Sequence, residues 1–555
     1  MRSILSKEAE FARLSLCFVF IDITEQLTAF ITLTYAGHIS QAHLEGVGLA
    51  HTLFNLIVVP LTAGHASVFD TFGPQVLGSE GELGTIFLKC LIQGWVLILF
   101  VLGPYLNIVY IIDLLPDSGI TPKTTLDMAS STYLAVSDGT FKDIAVEYLR
   151  ITAVVEFLDY LFVLTLKYIA IQDHTKIVYF LSFLMVVSHV LVNYVLVTVL
   201  KLGLDGLVQA VLLSRLLPLF AALIICVYMI KQGKFAWNGF NTRILVSWKP
   251  MMKLGLAGAL NVFAEMSMYE VATFCSQFDG NTAFSVVIIM HQLITMWWSV
   301  ALGMSRAGAT LIGTALGKED PDQTKLCVKL TVYNSVVVSC ILALVSYATM
   351  EYQVQLFSSE PGVTNLFTAT FWIICIGIPI DHIQTSLNQG ILVAFGAQDF
   401  TAWSMSISCY VIGLPIILFT IFFANLPVTG VTIGIVAAGL GMLISAIFKI
   451  RTVNFDREVA NSQERTAAEK GGAGTTDEVM ETGMEMSNGH ENSAYYGSNA
   501  ESKNSDKSSS SEGLEEAEIE RGLLSASQRK EISQNIAAIA CAAVIFVIFA
   551  IVSLI

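Results

Sequence analysis

The stretch MMKLGLAGALNVFAEMSMYEVATFCS, residues 251–276, is apolar over the length of a membrane helix, yet it holds two carboxylates, Glu265 and Glu270. A hydrocarbon core of about 30 Å takes roughly 20 apolar residues per helical span. A carboxylate at its centre costs about 2.5–3.5 kcal/mol on insertion scales, so each one asks for a function. The rest of the chain agrees with this reading. Of 555 residues, 54% are hydrophobic and only 14% are charged, and the mean hydropathy is +0.67. A soluble domain carries about 25% charged residues, so an ordinary soluble enzyme is excluded. Thirteen apolar runs are long enough to span: 14–35, 44–69, 84–112, 147–170, 177–200, 204–230, 251–276, 284–304, 326–349, 365–394, 402–424, 428–449 and 535–555. Short alternating segments would signal a β-barrel; these long runs define an all-α polytopic membrane protein.

The net charge of −15 is concentrated at residues 456–530, which hold 16 acids and 8 bases. That segment is rich in Ser, Glu, Gly and Asn and reads as a disordered tail. An acidic chain without a basic cluster excludes nucleic acid as a partner. With the N-terminus cytoplasmic, Lys167, Lys176, Lys231, Lys234, Arg243, Lys249, Arg306, Lys318, Lys325, Lys449 and Arg451 fall on the cytoplasmic side, while Lys123, Lys142 and Lys201 fall outside, as the positive-inside rule requires. The nine cysteines lie mostly within apolar runs, without a CxxC pair, and read as small buried hydrophobes rather than metal ligands. No P-loop GxxxxGK[ST] is present to cradle a nucleotide.

The first twelve runs read as six plus six. Gly37 to Gly78 spans 41 residues from the end of run 1 to the loop after run 2, and Ser276 to Gly317 spans the same number at the matching place. Residues 168–173 recur loosely as 393–399. In a transporter built of such halves, substrate binds near the middle of the membrane, where the repeats meet.

Several motifs then carry a resemblance. They are Ala36-Gly-His38; Leu44 to Ala50 (LEGVGLA) with Asn55; Asp70 to Gln75 (DTFGPQ) with Gly78; Arg306-Ala-Gly with Gly313, Leu316 and Gly317; Gly413-Leu-Pro415; and the Glu265/Glu270 pair. Together they resemble the multidrug and toxin extrusion (MATE) transporters over about residues 10–450, and the acidic linker with a thirteenth run is similar to the animal members. The resemblance implies two six-helix bundles related by a pseudo-two-fold axis around a central cleft, plus one extra C-terminal helix. It implies a plasma-membrane antiporter, not an enzyme, that needs no cofactor and works as a monomer. Small organic cations and xenobiotics would leave in exchange for protons, with sodium as the alternative ion. The chain would divide into an N-terminal lobe (1–230), a cytoplasmic linker (231–250), a C-terminal lobe (251–455), the acidic cytoplasmic tail (456–530) and the thirteenth helix (531–555), which would leave the C-terminus extracellular.

The candidate binding residues follow from the charges inside the runs. Glu265 and Glu270 lie roughly 140° apart on a helix and, by the resemblance, alternate between substrate cation and proton. Animal members carry a glutamate where this chain has Gln292, beside His291, and a carboxylate where it has His382, with Asp381 one residue earlier. Gln292 carries no proton, whereas a histidine titrates near neutrality. The first half adds Asp22 with Glu25, and Glu156 with Asp159; each pair is three residues apart and so shares one helix face. Two readings stay open: the four line a wet cavity and carry protons, or Asp22 and Glu156 sit near the membrane surfaces, merely solvated. Asn55 is placed to hydrogen-bond a substrate or to join helices. Asp70, Gln75 and Arg306 read as caps and pairs at helix ends. Trp297 and Trp298 suit either a cleft wall for flat cations or an interfacial belt. Two rivals remain: a lipid-linked saccharide flippase, which would need a basic cleft for phosphate, and a receptor or scaffold that no longer transports.

Overall fold

The computed structural model describes residues 2–106, 141–239, 244, 248–276, 281–355, 357, 360–424 and 426–470. Twelve long helices follow the apolar runs: α1 (Arg2–Ile39), α2 (Gln41–Gly78), α3 (Leu83–Leu106), α4 (Phe141–Ile171), α5 (Thr175–Val199), α6 (Gly203–Lys231), α7 (Trp248–Ser276), α8 (Asn281–Gly317), α9 (Pro321–Ala348), α10 (Pro361–Leu392), α11 (Gln398–Phe422) and α12 (Pro427–Arg451). Starts are set locally. The Ser40 side chain accepts from His43 N and that of Asp320 from Gln323 N, and prolines stand at the first turns of α9, α10 and α12, where a missing N–H costs nothing. Within α11 the helix widens into a π-turn at Ser408–Gly413 just before Pro415, whose ring removes an N–H from the ladder. Among the described residues, ten of the helices are apolar enough to cross a membrane unaided. The other two, α4 and α7, carry Glu156, Asp159, Lys167, Glu265 and Glu270.

The six-plus-six repeat is written in the packing. Helix α1 packs on α5, α2 on α3 and α4, and α4 on α6; α7 likewise packs on α11, α8 on α9 and α10, and α10 on α12. Between the lobes α1 crosses α8 and α2 crosses α7, which are one contact used twice. The backbones come closest at glycines 239 residues apart. A Cβ on Gly64 would stand 2.2 Å from Ala259 N, and one on Gly303 would stand 2.4 Å from Val19 N. Gly78 and Gly317, also 239 apart, meet each other: their Cβ atoms would stand 2.3 Å from Thr314 O and 2.1 Å from Gln75 O. The pseudo-two-fold axis therefore passes where the C-termini of α2 and α8 meet, and this end of the molecule is called the seam end below.

The loose match of residues 168–173 with 393–399 has a structural basis in a different register. At both places the helix closes with paired bonds, His174 N to Ile169 O with Asp173 N to Ala170 O, and Ala397 N to Leu392 O with Gly396 N to Val393 O, around a residue of positive φ, Asp173 or Gly396. Asp173 and Asp399 still do the same work, since each pairs with a base of the preceding repeat helix, Arg13 in α1 and Lys253 in α7.

The structure departs from expectation in two places. α2 and α8 continue well beyond the ends of their apolar runs, because at the seam end they pack against each other rather than against lipid. The segment expected to be disordered from 456 onward instead begins as a helix, α13 (Phe455–Lys470). The rest of the tail and the thirteenth run, 471–555, lie outside the described residues.

Candidate binding cavity

In the C-terminal lobe α7, α8, α10 and α12 enclose a cavity whose polar lining is Glu265, Tyr269, Trp297, Asp381 and His382. Its other walls are apolar, among them Met268, Ile294, Ile378, Val436 and Met442. Glu265 is 4% exposed and its Oε2 makes no hydrogen bond. His382 is 1% exposed with neither ring nitrogen bonded, and Trp297 Nε1 is likewise free. Asp381 Oδ1 accepts from Gln384 Nε2 at 3.0 Å. Among the described residues no ion pair reaches Glu265 or Asp381. Buried polar groups are ordinarily hydrogen-bonded, so this lining holds unused capacity for a cation or a proton.

The neighbouring residues sort by helix face. Asp381 and His382 both line the cavity, so the offset between them does not remove the acid from this place. Glu270 is half-buried and lies off the lining, as its 140° offset from Glu265 predicts. Gln292 also lies off it. Its neighbour His291 stacks on Tyr269, ring centroids 5.1 Å apart and 10° between planes, in a second, more apolar chamber that shares Tyr269, Ile294, Ile374 and Ile435 with the first. Trp297 lines the cavity and Trp298 does not. Asn55 is half-buried in α2 and lines neither chamber.

The N-terminal acids are placed differently. Asp22 is buried and ion-paired with Arg306 of α8, across the lobe boundary. Asp159 pairs with Arg215 of α6 at 2.8 Å, and the same guanidinium donates to Thr28 Oγ1 at 3.2 Å. Asp70 pairs with Lys167 at 2.7 Å. Glu156 is buried close to Asp159, and Glu25 is exposed on α1, one turn from Asp22. The reading of Asp22 and Glu156 as solvated surface groups is therefore corrected, since both are buried; Asp159 is half-buried. Lys167, counted among the cytoplasmic surface bases, is 2% exposed and belongs to the interior. Arg306, Asp70 and Gln75 do pair, Gln75 by donating to Ala394 O at 2.7 Å across the seam, but Arg306 and Asp70 stand inside α8 and α2 rather than at the helix ends expected of them. Sequence reasoning misses Arg215; its signal is a base in the middle of an apolar run, the mirror of the argument applied to the acids.

Comparison with known proteins agrees with this architecture. The MatE family model matches residues 258–419, the segment that holds the cavity's Glu265, Asp381 and His382. The chain is 24% identical to an uncharacterised transporter of Schizosaccharomyces pombe over 77% of its length and 76% of that protein's. It is 23% identical to human multidrug and toxin extrusion protein 1 over 79% and 73% of the two chains. Among solved structures, the eukaryotic MATE transporter AtDTX14 superposes with a TM-score of 0.75 at 16% identity, covering 83% of this chain and 99% of that one. The Vibrio cholerae MATE transporter VcmN in its bent form superposes at 0.65 and 14% identity, covering 83% and 99% of the two chains. Family model, relatives and fold agree: this multi-pass membrane protein is similar to the multidrug and toxin extrusion transporters and shares their fold.

Proposed function

We propose that this protein exports small organic cations and xenobiotics in exchange for protons, by alternating access, with Glu265, Asp381 and His382 as the shared binding groups. The observation that carries this reading is the meeting of those three side chains in one largely apolar cavity that no Lys or Arg lines. Ionised, the carboxylates attract a cation, and the aromatic faces of Trp297 and Tyr269 favour a flat or quaternary one. Protonated, they release it. Because one carboxylate cannot satisfy both ligands, proton and substrate are negatively coupled, and the coupling is reciprocal. The relatives named for multidrug and toxin extrusion support the substrate class. The basic flanks of the helices support placing the seam end, and with it the N-terminus, in the cytoplasm. The flippase alternative needs a basic cavity, whereas the charged groups here are acids.

Purified protein in liposomes tests the reading. An outwardly directed proton gradient should drive uptake of a radiolabelled organic cation into the vesicles, and collapse of the gradient should stop it. Uptake indifferent to the gradient removes proton exchange. No counterflow of any cation in a panel returns the protein to the receptor reading.

A further inference from the structure

Helix α13 lies across the seam end and holds both lobes at once. On the N-terminal lobe, Arg465 Nε donates to Gln75 Oε1 of α2 at 3.4 Å. On the C-terminal lobe, Gln463 Nε2 donates to the Leu316 carbonyl near the end of α8 at 3.5 Å. Phe455 meets Phe395 edge-on, centroids 6.2 Å apart, with Lys325 Nζ 5.7 Å from the Phe455 ring centre. The helix face turned inward, Ser462 and Thr466, is fully buried. The Arg465 guanidinium lies over the turn at Gly396, where a Cβ would stand 3.0 Å from its Nη1, and its Nη2 is buried without a hydrogen bond.

The residues it touches are those that close this end. Gln75 also donates to Ala394 O, Thr71 Oγ1 to Val393 O at 2.8 Å, and Gln398 Nε2 to Thr71 Oγ1 at 2.7 Å. The α2 and α8 backbones touch at Gly78 and Gly317. Opening at this end requires the C-termini of α2 and α8 to part. A helix bonded to α2 through one residue and to α8 and the α10–α11 turn through others cannot follow both.

We propose that α13 is a latch: it stabilises the conformation closed at the seam end, and its grip on α2 through Arg465 must be released before the cavity opens there. The inference rests on the alternating-access reading above. A ligand or contact shifts a two-state equilibrium only by its differential binding to the two states, and the Arg465–Gln75 bond is such a differential contact.

Spin labels at Glu80 and Lys318, both exposed just past the ends of α2 and α8, introduced as non-natural amino acids in the full-length protein in lipid nanodiscs, report the seam distance. The wild type should show a dominant short distance. Arg465→Ala and Phe455→Ala should each raise the population of a longer distance about five-fold, the change expected from losing roughly one hydrogen bond or contact. If both variants keep the wild-type distribution, the latch is overturned, whatever their transport. If the distance shifts while the wild type moves no organic cation in liposomes, the latch stands and the exporter reading falls.

Discussion

In the N-terminal lobe α1 and α4 bring Asp22, Glu156 and Asp159 inward; in the C-terminal lobe the equivalent helices α7 and α10 bring Glu265, Asp381 and His382. The backbones match, down to glycine contacts repeated 239 residues apart, but the surroundings do not. Asp22, Asp70 and Asp159 each face a base, Arg306, Lys167 and Arg215. Glu265 and Asp381 share their cavity with His382 and with aromatic and aliphatic side chains, and no Lys or Arg lines it. The positions 239 residues from Asp22 and Arg306 are Asn261 and Ser67, so the charged clamp exists at only one of the two lobe junctions. A duplicated fold has thus been divided by chemistry. Among the described residues, one half pairs three of its acids with bases, and the other holds Glu265 and Asp381 without an ion pair.

The comparison makes its largest claim at Glu265. Glu265→Gln keeps the shape and removes the charge. Losing a charged contact of about 2–3 kcal/mol should lower proton-driven cation uptake by roughly 30–150-fold at unchanged membrane level. Uptake like the wild type across pH 6–8.5 would mean that the free acids of the C-terminal lobe are not the coupling site.

Next in size is Arg215. Truncating one partner of a fully buried pair costs about 3–5 kcal/mol, and this pair, with side chains 11% and 24% exposed, falls below that range. Arg215→Leu should therefore lower the thermal stability of the detergent-solubilised protein strongly, and Asp159→Asn in the same chain should restore most of it. An Arg215→Leu protein as stable as the wild type would show that the N-terminal acids are not held by their bases, and the contrast between the lobes would break.

Asp22→Asn sharpens the same contrast at smaller scale. It loosens a cross-lobe pair without touching the cavity, so the rates should change while the number of protons exchanged per cation stays the same. Stoichiometry measured from reversal potentials in liposomes decides this; one proton fewer per cation would move part of the coupling into the N-terminal lobe.

Much of this is legible in the sequence, for identifiable reasons. Long apolar runs and a repeated 41-residue spacing are local patterns, and they locate the twelve helices and the duplication. Glu265 stands out because a lone acid in an apolar run is costly wherever it lies. Ion pairing is not local: Asp22 and Arg306 are 284 residues apart, and nothing in the chain says which base answers which acid. Helix α13 escapes because its composition is that of a solvated tail. Its signal is the spacing of Phe455, Val459, Ser462 and Thr466, a helical stripe hidden by two small polar members. The turn at Gly396 is matched to the wrong residue because the two halves use different residue types, Asp173 and Gly396, for one backbone conformation.

The smallest expected effect is at Glu270, and it tests the geometry of the C-terminal site most finely. Five residues along an α-helix turn through about 500°, which leaves Glu270 roughly 140° from Glu265. The structure bears this out in the lining: Glu265, Met268 and Tyr269 face the cavity and Glu270 does not. At that distance round the helix its charge influences the cavity through the long-range field alone, which falls with distance and is weakened by whatever water reaches this half-buried side chain. Glu270→Gln should therefore change the KM for an organic cation by no more than about two-fold, an effect well under 1 kcal/mol, and should leave the pH profile in place. A loss comparable to that of Glu265→Gln would require α7 to turn or unwind between the two acids during the cycle, so that both visit the cavity. The division of labour would then lie between conformations of one lobe rather than between the two lobes.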